Sequence, residues 1–230
     1  MNPFEQGQVL LINKPYDWTS FDVVRKIRSM IKIKKVGHAG TLDPLATGLL
    51  ILCTGKFTKR INEYMSQEKE YTGTFVLGQE TPTYDLESIP VTTGDYTSAT
   101  MEQLQEATKG FLGEIMQVPP IHSAIKVDGK RVYELARKGI DVELKARKVT
   151  INAFEITRVE LPEVDFRIVC TTGTYIRSIA NDYGRSVGTG AYLSALTRTR
   201  IGEFMLKDSM TMDEAAEHIN TLRTIPGQNG

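Results

Sequence analysis

VGHAGTLDPLATGLLILCT, residues 36–54, is the stretch on which the reading of this chain turns. Gly37 and Gly40 bracket His38-Ala39, and glycines at that spacing let a backbone reach positive φ or approach a ligand closely. Pro44 pushes Asp43 toward an extended conformation and keeps a helix from starting there. The apolar run Gly48–Cys53 has the length of a buried strand, although periodicity alone does not separate strand from helix in so short a run. A glycine-hinged loop carrying one His and one Asp is thus mounted beside a buried element, a common way to hold catalytic side chains. An Asp before Pro is equally an ordinary turn residue. The stretch by itself leaves both readings open.

The rest of the chain narrows them. Its 230 residues suffice for a sizeable core, and 40% hydrophobic with 24% charged residues is ordinary for a globular protein. Cys53 and Cys170 lie far apart inside apolar runs, which suits buried thiols better than a disulfide. Three histidines and no Cys-x-x-Cys spacing argue against zinc. With no basic, apolar leader and no membrane-length run, a cytoplasmic protein without a membrane anchor is expected. The formal net charge is zero but unevenly spread: +6 over residues 1–60, −8 over 61–108, +4 over 109–150 and −2 over 151–230. Basic segments flanking an acidic one could give a polyanion-binding face, or merely solvated helix surfaces.

In chain order, Val9–Ile12 reads as a strand. Thr19 or Ser20 then caps a helix to about residue 31, with Phe21, Val24, Ile27 and Met30-Ile31 as its apolar face. Thr54-Gly55-Lys56 is no P-loop, since Leu50 and Phe57 stand where glycine and Ser/Thr are needed. Residues 57–65 suit a helix and Tyr71–Gly78 a strand, in which Tyr71 reads first as a core tyrosine. Residues 80–100 are polar and turn-rich, an exposed loop or short hairpin. A Thr100-x-x-Gln103 capping pattern opens the next helix. Residues 118–148 read as a basic excursion from the sheet, with a hairpin turn at Asp128-Gly129 and a helix ending at Gly139. Strands over about 149–159 and 164–172 follow, then a helix after Gly173. Arg177, near its apolar start, needs an anionic partner if buried. A strand holding Leu193 and Leu196 and a helix over about 212–219 complete the chain. No paired carboxylates and no Ser/His/Asp set stand out, so Asp43 is left as nucleophile or general base.

Four motifs then resemble one family. Gly37-His38-Ala39-Gly40-Thr41-Leu42-Asp43-Pro44-Leu45-Ala46-Thr47-Gly48 is similar to the signature of the tRNA pseudouridine synthase B (TruB) family. So are Asn13-Lys14-Pro15, His122-Ser123-Ala124-Ile125-Lys126-x-x-Gly129 and Gly173-Thr174-Tyr175-Ile176-Arg177-Ser178, in the same order along the chain.

The resemblance implies an α+β fold, a mixed and mostly antiparallel sheet with flanking helices around a central RNA-binding cleft. It implies one synthase domain over 1–230, with 118–148 as a thumb-like insertion; in a departure from many members, no complete C-terminal PUA-type domain is expected. The implied activity is isomerisation of uridine 55 in the T-arm loop of tRNA to pseudouridine, by a monomer without cofactor, metal, membrane or obligate protein partner. Asp43 matches the catalytic aspartate, acting by attack at C1′ or by proton abstraction at C2′. Tyr71 matches the tyrosine that stacks on the target base and takes part in the final proton transfer, and Arg177 the arginine paired with the aspartate. His38 matches the histidine that fills the space of the flipped base. Lys14, Tyr175 and Leu196 match pocket-supporting positions, and Gly40, Thr41 and Lys126 fall inside the matched motifs as candidates for RNA contact. A tRNA-folding chaperone without essential catalysis is the alternative, and Asp43 discriminates, because a pure RNA binder gains nothing from a carboxylate facing phosphates.

Overall fold

The computed structural model describes residues 2–121, 126–127, 130–131 and 144–224. They form two compact units, Met1–Tyr71 with Leu196–Gly230, and Thr72–Ala195. Among the described residues no helix is long and apolar enough to cross a membrane.

The first unit begins with a short helix α1 (Pro3–Gln6) and strand β1 (Val9–Lys14). Helix α2 (Ser20–Ile31) starts at a reciprocal capping box between Thr19 and Asp22. Its buried stripe is Ser20, Val23, Val24, Ile27 and Ile31. The expected face was therefore one position off at its start: Phe21 is 57% exposed. The true i, i+3, i+4, i+7 ladder begins at a serine, which hydropathy passes over. Strand β2 (Val36–His38) leads through the 39–45 loop to β3 (Ala46–Thr54), in which every residue except Thr47 is buried. β3 is a strand rather than a helix because both its faces are covered. Leu50 and Leu52 join the cluster of Phe4, Ile12, Val24 and Ile27, while Leu49, Ile51 and Cys53 pack with Tyr64 and Ile201. A six-residue 3-10 turn, Gly55–Arg60, and helix α3 (Ile61–Met65) fill the segment read as one helix. Strand β4 (Lys69–Leu77) then carries the chain into the second unit.

The second unit continues with the hairpin β5 (Gln79–Glu80) and β6 (Val91–Thr92), then α4 (Met101–Thr108) and β7 (Gly113–Gln117). The expected Thr100/Gln103 capping box is formed. The small pair β8 (Lys126–Val127) and β9 (Lys130–Arg131) flanks the expected Asp-Gly turn, which itself lies outside the described residues, as does the helix expected over 131–139 beyond Arg131. Long antiparallel strands β10 (Arg147–Glu160) and β11 (Glu163–Cys170), helix α5 (Ile176–Ser186) and β12 (Ala191–Ile201) follow. An aromatic core holds this unit together. Phe75 stacks on Phe166 at 4.1 Å between ring centroids, with Phe154 and Tyr183 around them. The Tyr183 hydroxyl, buried with its ring, donates to the Leu104 carbonyl at 2.8 Å, as a buried phenol must.

β12 returns the chain to the first unit, which ends with β13 (Phe204–Met205) and α6 (Met212–Thr224). There the strand order is β1-β3-β12-β4, with β2 beside β3 and β13 beside β12; in the second unit it is β12-β4-β11-β10-β7. β12 is parallel to β3, and the β1/β3, β2/β3, β7/β10, β10/β11 and β12/β13 pairs are antiparallel. This is the expected α+β class.

Gly48 sits in a close backbone pairing. Its φ is +105°, and a β-carbon there would collide with the backbone of Arg198, its parallel partner. Gly48→Ala is expected to cost about 2–4 kcal/mol, from a strained backbone and an overpacked contact. The denaturant midpoint measures it, and an unchanged midpoint would contradict the pairing.

Candidate active site

In the first unit the 39–45 loop is fixed from several sides. Ala39 N–H donates to the Ile51 carbonyl at 2.9 Å, and Ala46 N–H to the Asp43 carbonyl at 3.1 Å. The Ser20 hydroxyl takes the Leu42 N–H at 2.8 Å and gives its own proton to the Leu42 carbonyl at 3.1 Å. Two cations buried from solvent do the rest. Arg198, on β12, donates to the carbonyls of Leu49 at 2.8 Å, Gly40 at 3.1 Å and Thr41 at 3.4 Å. Lys14, at the end of β1, donates to the carbonyls of Pro15 at 2.9 Å, Pro44 at 3.1 Å and Trp18. The loop is therefore gripped before Asp43 by Arg198 and after it by Lys14. Asp43 itself is half-buried on this mount.

The sequence marked Lys14, Gly40 and Thr41 as candidates, and they meet around the loop; Thr41 is exposed and Gly40 half-buried. Arg198 and Ser20 were passed over. A serine at a helix start and an arginine in a Thr-Arg-Thr-Arg strand carry no motif, and their role depends on carbonyls distant in sequence.

Burial pushes the Lys14 ammonium down to about 8, against the pull of the Asp43 carboxylate. Burial also lowers the His38 imidazole, which favours its neutral form; the Gly40 backbone opposes that shift and Arg198 adds to it. The Lys14 shift gives a signed prediction. An unfolded lysine near 10.5 holds more protons between pH 8 and 10.5 than the folded one, so this group makes stability rise with pH across that window. Urea unfolding at pH 8 and pH 10 should show a more positive slope for the wild type than for Lys14→Met. Equal slopes would contradict the shift.

Leu196 pairs with Ala46 in the parallel register, next to the end of the loop, and its carbonyl accepts from the Thr47 hydroxyl at 3.4 Å. Tyr71 is buried on β4, beside β12.

The second unit carries the other candidates. Arg177, in the first turn of α5, is 4% exposed, and Asp85 is its ion-pair partner in this unit, at 3.6 Å from its Nε. Its Nη1 donates to the Thr83 carbonyl at 3.3 Å. Asp85 lies in the segment read as an exposed loop or hairpin. The hairpin exists, but Thr81, Thr83 and Asp85 between its strands are buried. The reason is local: the Thr81 and Thr83 hydroxyls donate to the Asp85 carbonyl at 2.8 and 3.2 Å, and Asp85 Oδ1 accepts the Glu87 N–H at 3.0 Å. Such self-satisfied polar turns look solvent-exposed in a sequence. Tyr175 caps α5 and is half-buried. Lys126 lies in β8, its side chain outside the described residues, and His122 lies wholly outside them. Among the described residues no group of His, Cys, Asp and Glu could hold a metal ion.

The first unit thus holds a half-buried carboxylate on an anchored loop, and the second a buried arginine–carboxylate pair. The family profile described as "TruB family pseudouridylate synthase (N terminal domain)" matches residues 28–176. The chain belongs to the TruB family of pseudouridylate synthases, which are isomerases. It is 52% identical over 219 residues to the tRNA pseudouridine synthase B of Flavobacterium johnsoniae, covering 91% of this chain and 96% of that protein. The corresponding protein of Phocaeicola vulgatus is 49% identical over 223 residues, 94% of this chain and 95% of that one. Among solved structures, a chain of a Cbf5-Nop10-Gar1 complex superposes with a TM-score of 0.75 at 28% identity. The match covers 96% of this chain and 56% of that one.

Proposed function

We propose that this chain converts uridine 55 in the T-arm loop of tRNA to pseudouridine, with Asp43 acting on the ribose–uracil linkage. The observation that carries this is the Asp43 loop, clamped on both sides by buried Arg198 and Lys14. A carboxylate mounted on so firmly held a backbone suits a reaction whose success depends on where one oxygen sits. In the reaction the bond from C1′ to N1 breaks and one from C1′ to C5 forms. C5 gives up its proton to water and N1 takes one up, so no oxidant, hydrolytic water or cofactor is consumed.

The target base must leave its stack, at a cost of a few kcal/mol. Stacking on Tyr71 returns about 1–3 kcal/mol, and the same phenol is assigned to the final proton transfer. Arg177 belongs to the catalytic set with Asp43 and Tyr71. A neutral His38 suits the space left by an uncharged base, while Tyr175 and Leu196 line the base and Lys126 meets the RNA. Both compact units are parts of one synthase domain, and the segment over about 118–148, most of which lies outside the described residues, is its insertion toward the RNA. The protein works as a cytoplasmic monomer and needs only the T-arm stem-loop.

The test is an unmodified T-arm stem-loop and a copy with cytidine at position 55, each incubated with the protein and mapped for pseudouridine. Modification at position 55 of the first and none of the second is expected. Modification elsewhere, or RNA bound without conversion, would overturn the assignment.

A further inference from the structure

We infer that Gln117 and Arg147 are positioning residues for Tyr175, fixing its place in the site and so setting the rate of the reaction rather than the affinity for RNA. The inference rests on the proposed role of Tyr175 against the target base.

Gln117 ends β7 and Arg147 opens β10, and the two are direct cross-strand partners. From that one point in the sheet both reach Tyr175. The Gln117 amide, buried, donates from Nε2 to the Tyr175 carbonyl at 3.1 Å, and its Oε1 accepts the Tyr175 N–H at 2.8 Å. A primary amide here imitates a neighbouring strand, satisfying both backbone groups of one residue. The Tyr175 side chain makes no capping hydrogen bond of its own, so Gln117 fixes where helix α5 begins. Arg147 takes the ring: its guanidinium carbon lies 4.5 Å from the Tyr175 centroid, and its Nη2 donates to the Gly173 carbonyl. One turn into α5, the Ser178 hydroxyl donates to the Val118 carbonyl at 2.8 Å, which ties the same strand end to the helix again.

Backbone and ring of one residue are therefore held by two side chains that are themselves adjacent. A surface arginine placed for phosphate would extend into solvent; Arg147 is folded back over an aromatic ring and a carbonyl. Its guanidinium serves Tyr175.

A double-variant cycle reads this directly. Arg147→Met is expected to slow single-turnover conversion of the stem-loop by about 10- to 100-fold, the usual penalty for a misplaced group. The dissociation constant for RNA should change less than about threefold, because no phosphate contact is lost. Arg147→Lys keeps a cation over the ring and should recover part of the rate. In a Tyr175→Leu background the Arg147→Met change should cost less than about twofold, since residues acting through one another are not additive. Gln117→Glu, which cannot donate to the Tyr175 carbonyl, should show the same coupling and guards against a misfolded Arg147 variant. Independent, multiplying effects would overturn the inference. So would a loss of RNA affinity with a shallower salt dependence and an unchanged rate, which is the mark of a phosphate contact. If Tyr175→Leu alone leaves the rate unchanged, the role of Tyr175 falls and this inference with it. If Tyr175→Leu is slow but Arg147→Met is not, only the inference falls.

Discussion

Asp43→Asn should lose at least about 10³-fold in the rate of pseudouridine formation while binding the stem-loop within about threefold of wild type. The amide has the shape of the carboxylate, so the loop keeps its place: its holds are on the carbonyls of Gly40, Thr41 and Pro44, none of which changes. What is lost is the electron pair of an anion, which either attacks C1′ or removes the C2′ proton. Rapid-quench conversion measures the rate, and filter binding of the same RNA measures the affinity. A variant within tenfold of wild type would remove Asp43 from the chemistry.

Arg198→Met is expected to destabilise the fold by about 3–5 kcal/mol. Methionine fills much of the volume, but the carbonyls of Gly40, Thr41 and Leu49 lose their buried donor. The unsatisfied buried Leu49 carbonyl and the desolvated space left by the guanidinium carry most of this cost, since water can reach the part-buried Gly40 and Thr41 carbonyls. For a chain of this size the midpoint should fall by roughly 10 °C or more. Activity should fall at temperatures where the variant is still folded, because the loop before Asp43 loses its anchor. Arg198→Lys, with fewer donors but the same charge, should lie between. Calorimetry and single-turnover rates below the midpoint separate the two effects. A variant as stable as wild type would show that the carbonyls find other donors.

The contrast between Asp43 and Arg198 shows where the sequence was legible. Asp43 stood out as a candidate because glycines, a proline and a buried run surround it, although those local rules left a turn residue equally open until the family motifs were matched. The strand over Val9–Ile12 and the helix capped at Thr19 follow from patterning within a single element, whereas the Gly48–Cys53 run suggested a strand by its length alone. Arg198 binds carbonyls about 150 residues away in sequence, and such a contact leaves no trace in local pattern. Asp85 was hidden for a different reason. The Thr81 and Thr83 hydroxyls satisfy its backbone carbonyl in the interior and Ser88 in turn donates to Thr83, and the same composition describes a solvated turn. Phe21 shows the reverse failure: a large apolar residue was given to the core, yet it lies exposed with the Arg28 guanidinium 5.8 Å from its ring centroid.

The most direct test of the isomerase reading uses a T-arm stem-loop tritiated at C5 of its uridine 55. Joining C5 to C1′ expels that hydrogen, so the wild-type protein should release one tritium per RNA into water, with no free uracil and an intact chain. Tritium kept in the RNA, or uracil found in solution, would contradict the isomerisation.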